Sequence, residues 1–503
     1  MDLLRTAFAS SYGKDKPKFF FWYPSGTTSA EKKLLHKIDF FILSYACLGY
    51  FAKWLDQANL SNAYVSGMKE DLRMYGTEYN LATTCFQVGT ILGGIPSNLL
   101  LTWVPPRYLL PGQEFIWGIL TIATYKVSSY NQLYPLRFFI GLLEGSSFVG
   151  IQYVLGSWYK RTEIGKRTAI FACSAYIGTM VSGYIQSGVQ ASLGGNLGIE
   201  AWRWVFIIDG IITIVIAIYG IIFFPDTPEK TTAFYFTAQE KERAMERLVE
   251  DDREPKGEFS WNIFVRVVKS WQFYALSVLW CFWNTTVGKV GNTVMQLYLK
   301  NDTSHTWSVY QINNIPTAIN GWNIVMILAL NVYVDATGKR MTAVMINIFF
   351  LLFGTAILVA WAPVPLGLRI VSYLFASLDG PLSPLYLAWA NILCSSDRQV
   401  RALTLACMNS FGAVVTTLIQ QFLYPVTDAP AYRKGFPTSL ACVAAMGCYV
   451  FVVRGFEVRE ERRRSKVGGR DLEGVEVEED GVQEVDGGKA EKCIDATMDG
   501  QTQ

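Results

Sequence analysis

The sequence predicts an all-α membrane protein whose twelve transmembrane helices form two six-helix bundles, and three observations support this. Of 503 residues, 51% are hydrophobic and only 17% are charged, too apolar for an ordinary soluble protein of two domains. The apolar residues gather in runs of about 20 or more, the length of helix that crosses a hydrocarbon core of about 30 Å. A charged segment at 225–270, containing "TAQEKERAMERLVEDDREPKGE", parts those runs six and six.

Residues 1–36 are polar and basic, with no signal-peptide core ahead of the first span, and read as an N-terminal tail. The first bundle, 37–224, holds spans at 37–65, 79–103, 108–127, 133–158, 167–193 and 204–224. The segment 225–270 is the linker. The second bundle, 271–456, holds spans at 271–299, 316–334, 342–361, 366–393, 402–424 and 436–453. Two bundles related as parallel repeats place a binding site at their shared interface near mid-membrane. Residues 457–503, "GGRDLEGVEVEEDGVQEVDGGKAEK" among them, are acidic and Gly-rich, with too little apolar surface to fold, and read as a disordered tail.

Orientation follows Lys and Arg. The short loops divide them almost evenly, so the tails decide it: Lys32, Lys33 and Lys37 flank the first span and "REERRRSK" follows the last. Both termini and the linker are therefore expected in the cytoplasm. The sequon Asn301-Asp302-Thr303 then falls outside, making Asn301 a glycosylation candidate, whereas Asn284-Thr285-Thr286 lies within a span.

Composition also excludes several classes. Nine cysteines are scattered, mostly inside the apolar runs, and none is spaced as a metal ligand; the two histidines are far apart. No metal, disulfide scaffold or cofactor is expected. No nucleophile, base and orienting group occur together and no phosphate loop is present, which argues against an enzyme or a nucleotide-driven pump. A net charge of +2 gives no reason to expect a nucleic-acid partner.

Function is sought in the charges inside the spans, which are costly there, at about 2.5 to 3.5 kcal/mol each on insertion scales, and so tend to mark a pathway. In "RFFIGLLEGSSFVG", Arg137 and Glu144 are seven residues apart. On a helix they point nearly the same way but stand about 10.5 Å apart along the axis, too far for a tight ion pair. Each must find a partner elsewhere: another helix, a cavity or a ligand. The simpler role for Arg137 is to snorkel and tie helices together. Lys289, mid-span between Gly288 and Gly291, has small neighbours that let a substrate or helix approach. If Arg137 and Lys289 converge across the interface they form an anion site; otherwise Lys289 is neutral or pairs with an acid such as Asp379.

In the first span, Lys53 and Asp56 are spaced to pair along one face, and Asn59 and Asn62 extend that face with amides for a polar substrate or for neighbouring helices. In "SLDGPLSPLYLAW", Asp379 beside Gly380, Pro381 and Pro384 predicts a broken tenth span.

Together, "KWLDQANLSNAYVSGMKEDL", "GGIPSNLLLTWVPPRYLLP", "RFFIGLLEGSSFVG", "SWYKRTEIGKRTAIF", "WRWVFIIDG" and "FPDTPEK" resemble the anion:cation symporter family of the major facilitator superfamily, in its fungal allantoate-permease-like branch, over residues 37–456. The resemblance implies that Arg137 serves the anion, that Glu144 serves coupling and that Lys289 is the seventh-span cation. "VDATGKR" resembles the superfamily's cytoplasmic loop motif, implying that Asp335 and Arg340 latch helices at a gate. The family's first-span pattern Asp-Arg-x-Asn is Asp56-Gln57-Ala58-Asn59 here, one cation fewer. Within the branch the chain looks most like the pantothenate transporters, then those for biotin.

The expectation is a plasma-membrane symporter, acting as a monomer, that imports a small monocarboxylate with protons. Pantothenate comes first; biotin, allantoate and nicotinate are the alternatives. Arg137 and Lys289 would hold the carboxylate, Asn59 and Asn62 its polar groups, and Glu144 the proton, with Asp56 and Asp379 as alternative carriers. The competing class is a nutrient sensor that binds the same ligand and signals through its tails.

Overall fold

A computed structural model describes residues 22–23, 27–250, 262–361, 364–394 and 398–479. Among these, twelve helical rods follow one another in the predicted order. We label them α1 (Ser29–Asp71), α2 (Glu78–Trp103), α3 (Pro106–Ala123), α4 (Tyr130–Trp158), α5 (Arg161–Ser192) and α6 (Ala201–Phe223). The second set is α7 (Trp271–Asn284 with Gly291–Lys300), α8 (Val309–Thr337), α9 (Arg340–Ala360), α10 (Leu366–Ala376 with Leu382–Leu393), α11 (Arg398–Phe422) and α12 (Gly435–Glu479). Eight are individually long and apolar enough to cross a membrane. The predicted spans coincide with these helices to within a few residues at most ends. At its far end α12 continues past residue 457, over the start of the segment read as disordered; residues 480–503 lie outside the described residues.

Helix ends follow local chemistry. Thr28 caps α1, its hydroxyl accepting from the Glu31 N–H at 3.3 Å, and Ser308 and Gln311 form a capping box at the start of α8. Gly338, at φ 68°, stops α8 by donating its N–H to the Val334 carbonyl at 2.7 Å. Near its C-terminal end α1 loosens into a π-turn at Tyr64–Met68, where Gly67 adopts φ 120°, a conformation open to glycine and strained for other residues.

In the first half α2 packs on α4, α1 on α5 and α3 on α6. The α2–α4 contact is backbone to backbone: a Cβ at Gly89 or Gly93 would collide with the Phe138 or Leu142 carbonyl, and one at Gly141 with that of Phe86. In the second half α7 on α11 repeats α1 on α5. The halves meet through α5 against α8 and α2 against α11, contacts that exchange when the halves are exchanged, as parallel repeats require.

The halves are joined most visibly at the end remote from the N-terminal tail. An apolar cluster there draws Leu60, Tyr64 and Met68 from the first half together with Val294, Tyr298 and Tyr424 from the second. Hydrogen bonds cross beside it: Asn313 Nδ2 to Ser66 Oγ at 2.9 Å, Asn80 Nδ2 to the Gln420 carbonyl at 2.8 Å, and the Val426 N–H to Asn80 Oδ1 at 3.0 Å. Lys300 Nζ reaches Glu70 Oε1 at 2.9 Å and the Val65 carbonyl, within the π-turn, at 3.0 Å.

Part of the linker belongs with the first half. Its helix Ala238–Val249 lays Arg247, 1% exposed, between Glu31 and Glu163, with Nε to Glu31 Oε1 at 2.6 Å and Nη2 to Glu163 Oε1 at 2.5 Å. Lys37 Nζ contacts Glu240 Oε1 at 2.7 Å. From Val452 on, the chain forms a second compact unit, in which Arg454 pairs with Glu457 at 2.7 Å.

Candidate functional site

In the first half the charged side chains converge from different helices. Arg137 on α4, 1% exposed, donates from Nη1 to Asp56 Oδ2 on α1 at 3.2 Å, while its Nε and Nη2 have no hydrogen-bond partner. Its Cζ lies 5.6 Å from the centre of the Phe206 ring. The other oxygen of Asp56 accepts from Thr121 Oγ1 at 3.2 Å. Glu144, fully buried, takes Gln57 Nε2 on Oε2 at 3.0 Å and leaves Oε1 unpartnered.

As the helical spacing requires, Arg137 and Glu144 do not pair with each other. The expected Lys53–Asp56 pair is replaced. Lys53 Nζ instead donates to the Glu144 backbone carbonyl at 3.1 Å, because α4 is interrupted directly after Glu144 and that carbonyl is free of its helical bond. Asp56 is thereby left to Arg137.

Asn59 and Asn62 do share a face, and both are engaged. Asn59 Nδ2 donates to Asp209 Oδ2 on α6 at 2.7 Å, and its Oδ1 accepts from Ser182 Oγ on α5 at 2.5 Å. Asn62 Nδ2 donates to the same Ser182 Oγ at 2.5 Å, and its Oδ1 accepts from Gln296 Nε2 on α7, which carries the chain of polar groups into the second half. Asn62 and Gln296 line a small cavity together with Ser61, Asn292, Asn313 and Asn320. The lining comes from α1, α5, α7 and α8, so the cavity lies where the halves meet.

In the second half α10 breaks where Gly380 and Pro381 predict it, between Ala376 and Leu382. The break in α7 at residues 285–290 was not anticipated. The two breaks face each other: Lys289 Nζ meets Asp379 Oδ2 at 3.0 Å and lies 3.1 Å from the centre of the Trp283 ring. A Cβ at Gly288 would strike Asp379, and one at Gly291 would strike Ser377, so both glycines serve this close approach. Asn323 holds the α10 break, accepting the Gly380 N–H on Oδ1 at 2.9 Å and donating to the Ser377 carbonyl at 2.9 Å. The side chain of Lys289 keeps 18% of its surface exposed, where that of Arg137 keeps 2%.

Each cation thus rests on an acid of its own half, and the expected convergence of Arg137 and Lys289 on one point is not seen. Asp335 is exposed and lies in the field of Lys166 from the first half, and Arg340 begins α9. Asn301 caps the end of α7, its Nδ2 donating to the Leu297 carbonyl at 2.8 Å.

Two buried acids inside the predicted spans were not singled out by the sequence. Asp209 sits against the Asp56–Arg137 pair, and Glu114 on α3 is 1% exposed. Each stands alone in an apolar run, and an isolated in-span carboxylate was the available signal.

Residues 46–418 match the family model described as Major Facilitator Superfamily. The MFS transporter PfmaC of Pestalotiopsis fici is 40% identical over 440 residues, 87% of this chain and 82% of the relative. The pantothenate transporter liz1 of Schizosaccharomyces pombe is 37% identical over 465 residues, 91% of this chain and 89% of the relative. The pantothenate transporter FEN2 of Saccharomyces cerevisiae is 35% identical over 446 residues, 87% of this chain and 86% of the relative. Among solved structures, the E. coli xylose transporter in a partially occluded inward open conformation has the same fold, with TM-score 0.59, 15% identity, and coverage of 82% of this chain and 97% of that one.

Proposed function

From the premise that this chain belongs to the Major Facilitator Superfamily and is a multi-pass membrane transporter, we propose that it imports a small organic monocarboxylate, pantothenate first, together with protons across the plasma membrane. The observation that carries the reading is the amide-lined cavity between the halves. Pantothenate offers a carboxylate, an amide and two hydroxyls. Asn62, Gln296 and Asn292 are groups that can both donate to and accept from such a molecule. The choice among carboxylates rests on the two relatives named for pantothenate.

Lys289 is three residues before Asn292, a cavity residue, and is partly exposed. In this reading it exchanges Asp379 for the substrate carboxylate. Arg137, with two donors unused, contributes the positive potential of the first half and takes the anion when Asp56 is protonated. Glu144 accepts the coupling proton on its unpartnered oxygen. Protonation removes a negative charge from the anion's path, so proton and substrate bind better together than apart, which is coupling. Asn59 positions Asp209 and Ser182 behind the cavity. With both termini in the cytoplasm, the closed end bearing Lys300 and Asn301 faces outward, and Asp335 and Arg340 form the inner gate. Rocking of the halves then alternates access, and a monomer suffices.

Uptake of labelled pantothenate into cells expressing the chain tests this. It should rise several-fold from neutral to mildly acidic outside pH, with biotin, nicotinate and allantoate competing poorly. Equal uptake at both pH values would remove the proton from the mechanism; better competition by biotin would reassign the substrate.

A further inference from the structure

Glu114 lies in a small cavity of its own, lined from α1, α3 and α4 by Tyr45, Gly49, Gln113, Trp117, Ser146 and Ser147 among others. The cavity is separate from the one between the halves, with which it shares no lining residue. Tyr45 donates its hydroxyl to Glu114 Oε2 at 2.7 Å. Oε1 has no hydrogen-bond partner, and neither has Trp117 Nε1, one turn along the same helix. Among the described residues, no Lys, Arg or His lines this cavity. Of the titratable and charged groups described on α1, α2, α4 and α6, Tyr45 is the one that touches Glu114: Lys53 is on the Glu144 carbonyl, Arg137 on Asp56 and Asp209 on Asn59. Gly49 leaves space in front of the carboxyl, for a Cβ there would stand 3.3 Å from Oε1.

A buried carboxyl with one free oxygen, a small and mostly apolar cavity before it and no counter-charge lining that cavity has one small neutralising ligand open to it: a proton. We infer that Glu114 is a second proton-binding site, filled and emptied once per transport cycle alongside Glu144. The two acids use different partners, Tyr45 for Glu114 and Gln57 for Glu144, and no described hydrogen bond joins one carboxyl to the other, which favours two sites over a relay. They flank the same interruption of α4: Glu144 ends the segment before it, while Ser146 Oγ donates to Gln113 Oε1 at 2.5 Å and Ser147 Oγ to the Glu144 carbonyl at 2.6 Å just beyond. A shift of that interruption is felt by both acids. No electrons move. Two protons enter with one monocarboxylate, so each turnover carries a net single positive charge inward.

This inference rests on the proposed proton-coupled uptake, and the test separates the two. Full-length protein in vesicles is assayed for labelled pantothenate uptake with an outside-acid gradient, with and without an inside-negative potassium diffusion potential set by valinomycin. Wild type should be stimulated several-fold by the potential on top of the acid gradient. Glu114→Gln should lose the response to potential, keep acid stimulation and keep substrate counterflow. Glu114→Asp should retain the response, and Tyr45→Phe should shift the pH at which it is half lost. Wild-type uptake indifferent to potential, or a Glu114→Gln response equal to wild type, overturns the second site and leaves proton coupling standing. Wild-type uptake indifferent to the acid gradient overturns the coupling reading itself. Should Glu114→Gln lose counterflow, the aspartate and Tyr45 variants decide, and a response to potential unmoved in pH by Tyr45→Phe counts against the site.

Discussion

The two halves share a fold but treat buried charge in opposite ways. The first gathers three acids, Asp56, Glu144 and Asp209, near two cations, Lys53 and Arg137, with Glu114 in a cavity apart, and leaves Glu114 Oε1, Glu144 Oε1, Asp209 Oδ1 and two donors of Arg137 without partners. The second sets one cation against one acid at facing helix breaks, with the ammonium over an indole ring and glycines clearing the space. An excess of unpartnered acid is suited to gaining and losing protons. A matched pair beside amides is suited to trading one carboxylate for another. On the proposed reading, coupling falls mainly to the first half and substrate orientation mainly to the second.

The largest effect should come from Arg137→Ala, which leaves Asp56 buried beside Asp209 with no guanidinium. Removing one member of a buried pair costs about 3 to 5 kcal/mol, so thermal unfolding in detergent should fall markedly and uptake should be lost. An unchanged Tm would mean that Arg137 does not hold the cluster. Next, Glu144→Gln should abolish acid stimulation while substrate exchange persists; stimulation that survives would move the coupling proton elsewhere. Third, Lys289→Ala should raise the KM for pantothenate about ten-fold or more, and its stability should partly recover in the double variant with Asp379→Asn. A double-mutant cycle should return a coupling of about 0.5 to 3 kcal/mol, and independence of the two sites would break the matched-pair description. A smaller shift, about 1 kcal/mol or five-fold in the closing equilibrium, is expected from Lys300→Met, read as faster thiol labelling of a Ser61→Cys probe from outside. Smallest of all, deletion of residues 457–503 should leave uptake unchanged, whereas a sensor would lose its output.

Much of the fold was legible because hydropathy and chain length fix where helices can cross. The α10 break was legible too, since Gly380, Pro381 and Pro384 act on their own backbone. Side-chain partnerships were not. Lys53 and Asp56 have the spacing of a pair, yet the winning partners come from α4, 91 residues along for the Glu144 carbonyl and 81 for Arg137. Helical periodicity placed Asn59 and Asn62 on one face but could not tell that Asp209 would engage the first and Gln296 the second. The α7 break was also hidden: Gly288 and Gly291 signalled close approach, and only the facing α10 break explains what approaches.

The anchoring of the Ala238–Val249 helix has a mechanical consequence. With Arg247 seated between Glu31 and Glu163, that stretch travels with the first half, and only residues 250–261 separate its end from the next helix, Asn262–Lys269. Twelve residues span at most about 43 Å when drawn straight, so chain length alone caps how far these two helices can part. Lys37 on Glu240 and Lys160 on Glu250 fasten the near end of that tether beside Arg247, so its reach is counted from the end of the helix and not from its start.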